Sequence, residues 1–222
     1  DIDALVQAMV DMRSGSFLSE NVYIRRDKRI RDVAVLFLLD LSGSTEEEVN
    51  GRRVIDIQKE AMVLMAEALD SLEDPYAIYG FSSEGRHRVD LFVIKDFAEP
   101  YNEQIQYRLG NLQPLGLTRM GAVLRHGLHK LDSTQAAVKL MVILTDGRPY
   151  DLEYGNLDYA IADTRKAMQE VRRNRIHPFI ITSDQKGADY LRKISSETQS
   201  IVLPRVESLP TMLPSLYKRL TI

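Results

Sequence analysis

Three short apolar runs punctuate the chain: Val33 to Leu39, Leu140 to Leu144 and Pro178 to Ile181. None alternates with polar positions, and all are rich in β-branched residues, as expected of parallel strands covered on both faces. Each leads into a polar end carrying an aspartate: Asp40, Asp146 and Asp184. Tyr76 to Phe81 reads as a further central strand, and Val89 to Ile94 as an edge strand after the turn at Glu84-Gly85. Between the runs, apolar residues recur at helical spacing. Val54, Ile57, Ala61, Leu64, Met65, Ala68 and Leu69 mark one face; Leu124, Leu128 and Leu131 mark a second helix, with Thr118 as its expected cap. Ile161, Thr164, Met168 and Val171 mark a third, and Leu213, Leu216, Tyr217 and Leu220 a last one that starts near Pro210. Strands alternating with helices predict an α/β domain, a doubly wound sheet with helices on both sides.

Residues 1–32 fit the alternation less well. Leu5, Met9 and Met12 suit a short helix, and Arg25, Arg26, Lys28, Arg29 and Arg31 form a basic cluster before the first strand. They read as an N-terminal extension of a domain at 33–222. The chain has 222 residues, enough for one well-buried α/β domain but cramped for two. Its net charge of −3 gives no reason to expect nucleic acid or a membrane surface as a partner. No apolar run approaches the ~18 residues of a bilayer span, and no signal peptide is evident. Cysteine is absent, which removes disulfides and thiolate chemistry and suits a reducing, cytoplasmic setting. The chain starts at Asp1 rather than Met, as expected of a piece of a longer protein.

The candidate chemistry sits where open α/β sheets bind ligands, beyond the carboxyl ends of the strands. Asp40-Leu41-Ser42-Gly43-Ser44 puts a carboxylate and two hydroxyls in one tight turn. Leu144-Thr145-Asp146-Gly147 delivers a second carboxylate from another buried strand. Gly116-Leu117-Thr118-Arg119-Met120-Gly121 supplies a threonine hydroxyl. Every donor is a hard oxygen, which suits Mg²⁺ or Mn²⁺ rather than zinc or copper. An ion left with uncancelled charge toward solvent would favour a partner's carboxylate as its last ligand, so the pattern describes binding without a chemical step.

Asp40, Ser42, Ser44, Thr118 and Asp146 together resemble the metal-ion-dependent adhesion site of von Willebrand factor A-type domains, whose pattern is Asp-x-Ser-x-Ser followed by a distant Thr and a distant Asp. The resemblance covers roughly residues 33 to 220. It implies strand order 3-2-1-4-5-6 with the third strand antiparallel, direct metal contact by the serines and threonine, and aspartates acting largely through water. Asp184 lies outside that pattern and is expected to matter little to the metal.

Further stretches are similar to one bacterial branch, the nitric oxide reductase activation protein NorD and the Rubisco-activase subunit CbbO. They are Tyr79-Gly80-Phe81-Ser82-Ser83 with Gly85-Arg86-His87, Lys95-Asp96-Phe97 with Glu99-Pro100, and Thr118-Arg119-Met120-Gly121 with Leu124-Arg125-His126. Asp163-Thr164-Arg165 and Leu213-Pro214-Ser215-Leu216-Tyr217 match as well. The resemblance implies a C-terminal binding domain on an adaptor that works with a hexameric MoxR-type AAA+ ATPase. After Asp146 the chain reads Gly147-Arg148-Pro149-Tyr150-Asp151, where the NorD type is expected to carry a Lys-Pro-Asn-Asp-like sequence. The Rubisco-activating type is therefore the expected one, with nitric oxide reductase as the alternative target. Arg119, Arg148 and Tyr150 are then candidates to supplement the grip at the metal rim, while Glu46, Glu47 and Glu48 read as a mobile acidic loop.

Enzyme readings fare worse. A Mg²⁺-dependent phosphohydrolase needs a second aspartate two residues after the first, and Ser42 stands there. No phosphate-binding P-loop and no Gly-x-Ser-x-Gly elbow occur. His87, His126, His129 and His177 form no metal motif. Extracellular-matrix adhesion is disfavoured by the missing cysteines.

Overall fold

The computed structural model describes residues 32–184, 187–194 and 199–221. The expected short helix around Leu5 to Met12 and the basic cluster from Arg25 to Arg31 lie outside the described residues. Along the chain run β1 (Val33–Asp40), a small ribbon of β2 (Glu48–Val49) and β3 (Arg52–Arg53), α1 (Val54–Leu72), β4 (Tyr76–Ser83), β5 (Val89–Lys95), α2 (Glu103–Gly110), α3 (Met120–Asp132), β6 (Val138–Thr145), α4 (Leu157–Arg173), β7 (Ile176–Thr182), α5 (Gly187–Ile194), β8 (Gln199–Val202) and α6 (Leu209–Leu220). The main sheet has six strands in the order β5-β4-β1-β6-β7-β8. All pairs are parallel except β4 with the edge strand β5, as the family resemblance implied.

Every residue of β1 is buried because the strand is covered on both faces. Alternation sends Val35, Phe37 and Leu39 into one core layer and Ala34, Leu36 and Leu38 into the other. The first layer is roofed by α1, α2 and α6, with Met65, Leu69, Leu213 and Tyr217 against the sheet. The second is roofed by α3, α4 and α5, through Leu124, Met168 and Leu191. Each large aliphatic side chain sealed this way stabilises the fold by about 1.5–3 kcal/mol relative to exposure.

The helix face expected for α1 needs one change. Leu64 is exposed, and Met62 and Ala66 take the buried stripe with Ala61, Met65 and Leu69. Thr118 is not a helix cap: Arg119 occupies that position, with no side-chain capping bond, and the threonine hydroxyl turns toward Asp40. The segment around Glu46 to Glu48, read as a mobile acidic loop, folds into a short 3₁₀ turn (Gly43–Glu46) and the β2–β3 ribbon. Asn50 and Gly51 both have positive φ (51° and 77°), the conformation that closes a two-residue hairpin and favours Asn-Gly.

Candidate metal centre

The strand order reverses between β1 and β6, and the crevice at such a switch point is where open sheets bind ligands. Asp40 ends β1, and Asp146 follows directly on β6. Asp40 is wholly buried. Its Oδ1 accepts the Ser42 N–H at 2.9 Å, its Oδ2 accepts the Thr145 hydroxyl at 2.7 Å, and the Thr118 hydroxyl donates to both oxygens at 3.3 Å. Ser42 Oγ lies 3.0 Å from Ser44 Oγ, and Ser44 donates to Asp146 Oδ1 at 3.0 Å. The five residues expected from the sequence are thus drawn together in one oxygen-lined cluster. Ser42, Ser44, Thr118 and Asp146 open onto a depression of about 360 Å³, and Asp40 is buried behind Ser42 and Thr118.

The electrostatics fit a cation. Burial holds the Asp40 carboxyl above its ordinary range against the hydrogen bonds that favour its charge. Burial, and then the nearby Asp40 charge, push Asp146 up to about 7. Neither acid has an ion-pair partner among the described residues. Two carboxylates with no counter-charge, surrounded by hydroxyls that can give a proton to an acid and keep lone pairs free, suit a hard divalent cation. Among the described residues no three His, Cys, Asp or Glu side chains gather as a metal-holding group, so any such centre here rests on hydroxyls as much as on acids.

The loops are locked to one another by backbone bonds. Gly43 N–H donates to the Gly116 carbonyl at 3.0 Å, and Thr118 and Tyr150 exchange N–H···O bonds at 2.8 and 3.0 Å. Gly116 has φ +57°, and a Cβ there would meet the Ser83 carbonyl oxygen at 2.5 Å, against backbone that cannot yield. Gly116→Ala is expected to lose about 1–3 kcal/mol of stability and to weaken Mg²⁺ binding, because it displaces the loop that carries Thr118. Urea denaturation and isothermal titration with MgCl₂ check both effects.

Residues 34–219 match the family model for the von Willebrand factor type A domain. The chain belongs to this family. The VWA domain is 39% identical over 221 residues to an uncharacterized protein of Pseudomonas aeruginosa, covering 99% of this chain and 36% of that one. It is 33% identical to Protein NorD of Brucella melitensis, covering 99% of this chain and 35% of the relative. With Protein NorD of Stutzerimonas stutzeri it shares 36% identity over 86% of this chain and 31% of the relative. The chain therefore spans about a third of the length of these relatives. Among solved structures, the PilB minor pilin of Streptococcus sanguinis superposes with TM-score 0.68 at 20% identity, covering 86% of this chain and 61% of that one. The SpRpn10 VWA domain gives 0.58 at 12% identity, covering 81% and 94%. At those identities the likeness is one of fold. The NorD-named relatives favour the NorD type over the expected Rubisco-activating type.

Two sequence expectations shift. Arg148 and Tyr150 do line the depression, but Arg119 does not reach it. Its guanidinium donates to Asp151 at 3.0 Å and lies 4.1 Å over the Tyr154 ring, leaving the residue 9% exposed. Asp184, which lies outside the family pattern, lines the same depression. Thr145 was passed over although it immediately precedes Asp146. The β1–β6 register, which pairs Leu39 with Leu144, puts the next residues, Asp40 and Thr145, side by side. Nothing in the sequence marks the role of Asp151, since only the folded loops bring it to Ser83 and Arg119.

Proposed function

We propose that this VWA domain is a metal-dependent protein-binding module that captures a carboxylate of a partner. The observation that carries the reading is the convergence of Asp40, Ser42, Ser44, Thr118 and Asp146 at the switch point of the sheet. Ser42, Ser44 and Thr118 would hold the ion directly, with Asp40 and Asp146 orienting hydroxyls and bound water around it. A bound Mg²⁺ or Mn²⁺ supplies positive charge facing solvent, which favours an acidic side chain as the final ligand. Asp40 has the orienting duty beneath the site: its oxygens accept the Ser42 N–H and the Thr118 and Thr145 hydroxyls and keep the Ser42 turn closed. A wholly buried Asp40 with both oxygens engaged has no face for attack on phosphorus, which supports a binding role over a phosphohydrolase.

We assign the module to a NorD-type adaptor, on the strength of the NorD-named relatives at 33–36% identity. In this reading the larger protein works with a MoxR-type AAA+ ATPase, in the cytoplasm where ATP is available, and the activated target is nitric oxide reductase. Among the described residues no helix is long and apolar enough to cross a membrane. The Rubisco-activating role is the competing target. The full-length protein and its cognate ATPase are expected to raise nitric oxide reductase activity at least tenfold over the ATPase alone, and Ser42→Ala is expected to remove that gain. Reactivation of inhibited Rubisco by the same pair, without an effect on the reductase, would reverse the assignment.

A further inference from the structure

We propose that the domain carries a second subsite beside the metal centre: an apolar notch that receives a hydrophobic side chain located two residues from the captured carboxylate. The proposal rests on the carboxylate-capture reading and adds the chemistry of the neighbouring partner residue.

The notch, about 290 Å³, is walled by Pro149, Tyr150, Leu152, Tyr154, Leu157 and Ala160. It is roomy enough for one side chain of leucine or phenylalanine size. Large apolar side chains cluster on its rim: Leu152 is 71% exposed and Tyr150 56%, with Leu157 exposed as well. Single exposed apolar residues are ordinary, but a contiguous group of this kind marks an interaction surface.

The walls are preformed. Asp151 accepts the Arg119 guanidinium, the Ser83 hydroxyl and the Gly85 and Glu153 N–H groups, which pins the loop at its middle. Tyr154 is held under Arg119, donates to Asp163 at 2.9 Å and meets Tyr159 edge-on at 5.5 Å. A notch already shaped costs little ordering when it is filled.

The notch adjoins the metal depression, because Arg148 and Tyr150 line both. Arg148 is exposed and has no ion pair among the described residues, so the shared wall adds positive charge to the metal side. One wall therefore asks for an acid and the next for an apolar group. In an extended segment, residues i and i+2 project to the same face roughly 6.6 Å apart, a spacing that straddles a single wall. The occupant is an acidic residue followed two positions later by a large apolar one.

The test titrates fluorescein-labelled heptapeptides into the 222-residue chain in excess Mg²⁺ and reads anisotropy. Ser-Gly-Glu-Ser-Phe-Gly-Ser is expected to bind about tenfold tighter than Ser-Gly-Glu-Ser-Ser-Gly-Ser, the gain of sealing one aromatic side chain. The double variant Leu152→Ser, Leu157→Ser should erase that preference while keeping the affinity for the serine peptide, the Mg²⁺ affinity and the melting temperature. Equal binding of the two peptides by the wild type overturns the subsite, as does a preference that survives in the double variant. A peptide with Asn in place of Glu that binds as tightly as the Phe peptide overturns the coupling between the two subsites. If neither Glu peptide binds while Mg²⁺ does, carboxylate capture itself is wrong and the subsite falls with it.

Discussion

Asp40→Asn is expected to raise the unfolding temperature of the chain in EDTA and to abolish its response to Mg²⁺. Asp40 is fully buried, its charge opposes that of Asp146, and no basic side chain among the described residues offsets either. An amide fills the same space without charge. Thr145 already donates to the Gly147 carbonyl at 2.9 Å as an alternative, so its hydroxyl can turn to accept from the new amide. Removing the uncompensated charge should stabilise the metal-free domain, with the melting temperature rising by roughly 2–4 °C for each kcal/mol relieved. The wild type gains about 2.7 kcal/mol when Mg²⁺ reaches a hundredfold excess over its Kd, whereas the variant, with one of the two carboxylate charges gone and the Ser42 turn no longer held by an anion, should shift by less than about 1 °C. Ser42→Ala separates the effects, because it removes a hydroxyl that contacts Ser44 and also hydrogen-bonds Asp40, while leaving both carboxylates in place. It is expected to lose roughly 10–100-fold in Mg²⁺ affinity with little change of stability in EDTA. Calorimetric melts with and without Mg²⁺ decide the matter; an Asp40→Asn variant that still responds to Mg²⁺ like wild type would sink the proposed centre.

Asp151→Ala is expected to cost about 3–5 kcal/mol, more than most surface changes, because it leaves the guanidinium of Arg119 buried without its partner. The carboxylate side chain is fully buried and Arg119's is 10% exposed. The same substitution strands the Ser83 hydroxyl and the Gly85 and Glu153 N–H groups. Replacing both members of the pair, Asp151→Ala with Arg119→Met, should recover part of the loss, which a double-mutant cycle in urea measures. The sign with pH follows from the titration of Asp151. Although burial opposes it, hydrogen bonds from Arg119 and Ser83 hold the carboxyl below its ordinary range. Its contribution is then fully present above the unfolded value near pH 4 and drains away as acid protonates the folded state. The gap between wild type and Asp151→Ala should therefore narrow below about pH 4. A gap that stays constant into acid would mean that packing, and not the ion pair, carries the effect.

Much of the fold was legible because buried parallel strands write continuous apolar runs. Val33 to Leu39, Leu140 to Leu144 and Pro178 to Ile181 became the cores of β1, β6 and β7. Shorter elements leave weaker signals. β8 has four residues and α2 and α5 eight each, too short for periodicity to stand out. The β2–β3 ribbon carries its mark in Asn50-Gly51, a hairpin signature set close behind the acidic residues 46–48.

By itself the sequence determined which oxygens are available and on which strand ends they sit, because Asp-x-Ser-x-Ser, Thr118 and Asp146 are local features tied to chain direction. Only the tertiary structure decided what faces what. Sheet register set Thr145 beside Asp40, and loop packing turned Thr118 from a cap into a partner of Asp40. The same packing buried Arg119 against an aspartate 32 residues away while leaving Arg148 and Leu152 exposed at the rim. Pairings of that kind depend on contacts between distant segments, which short-range patterns of polarity do not encode.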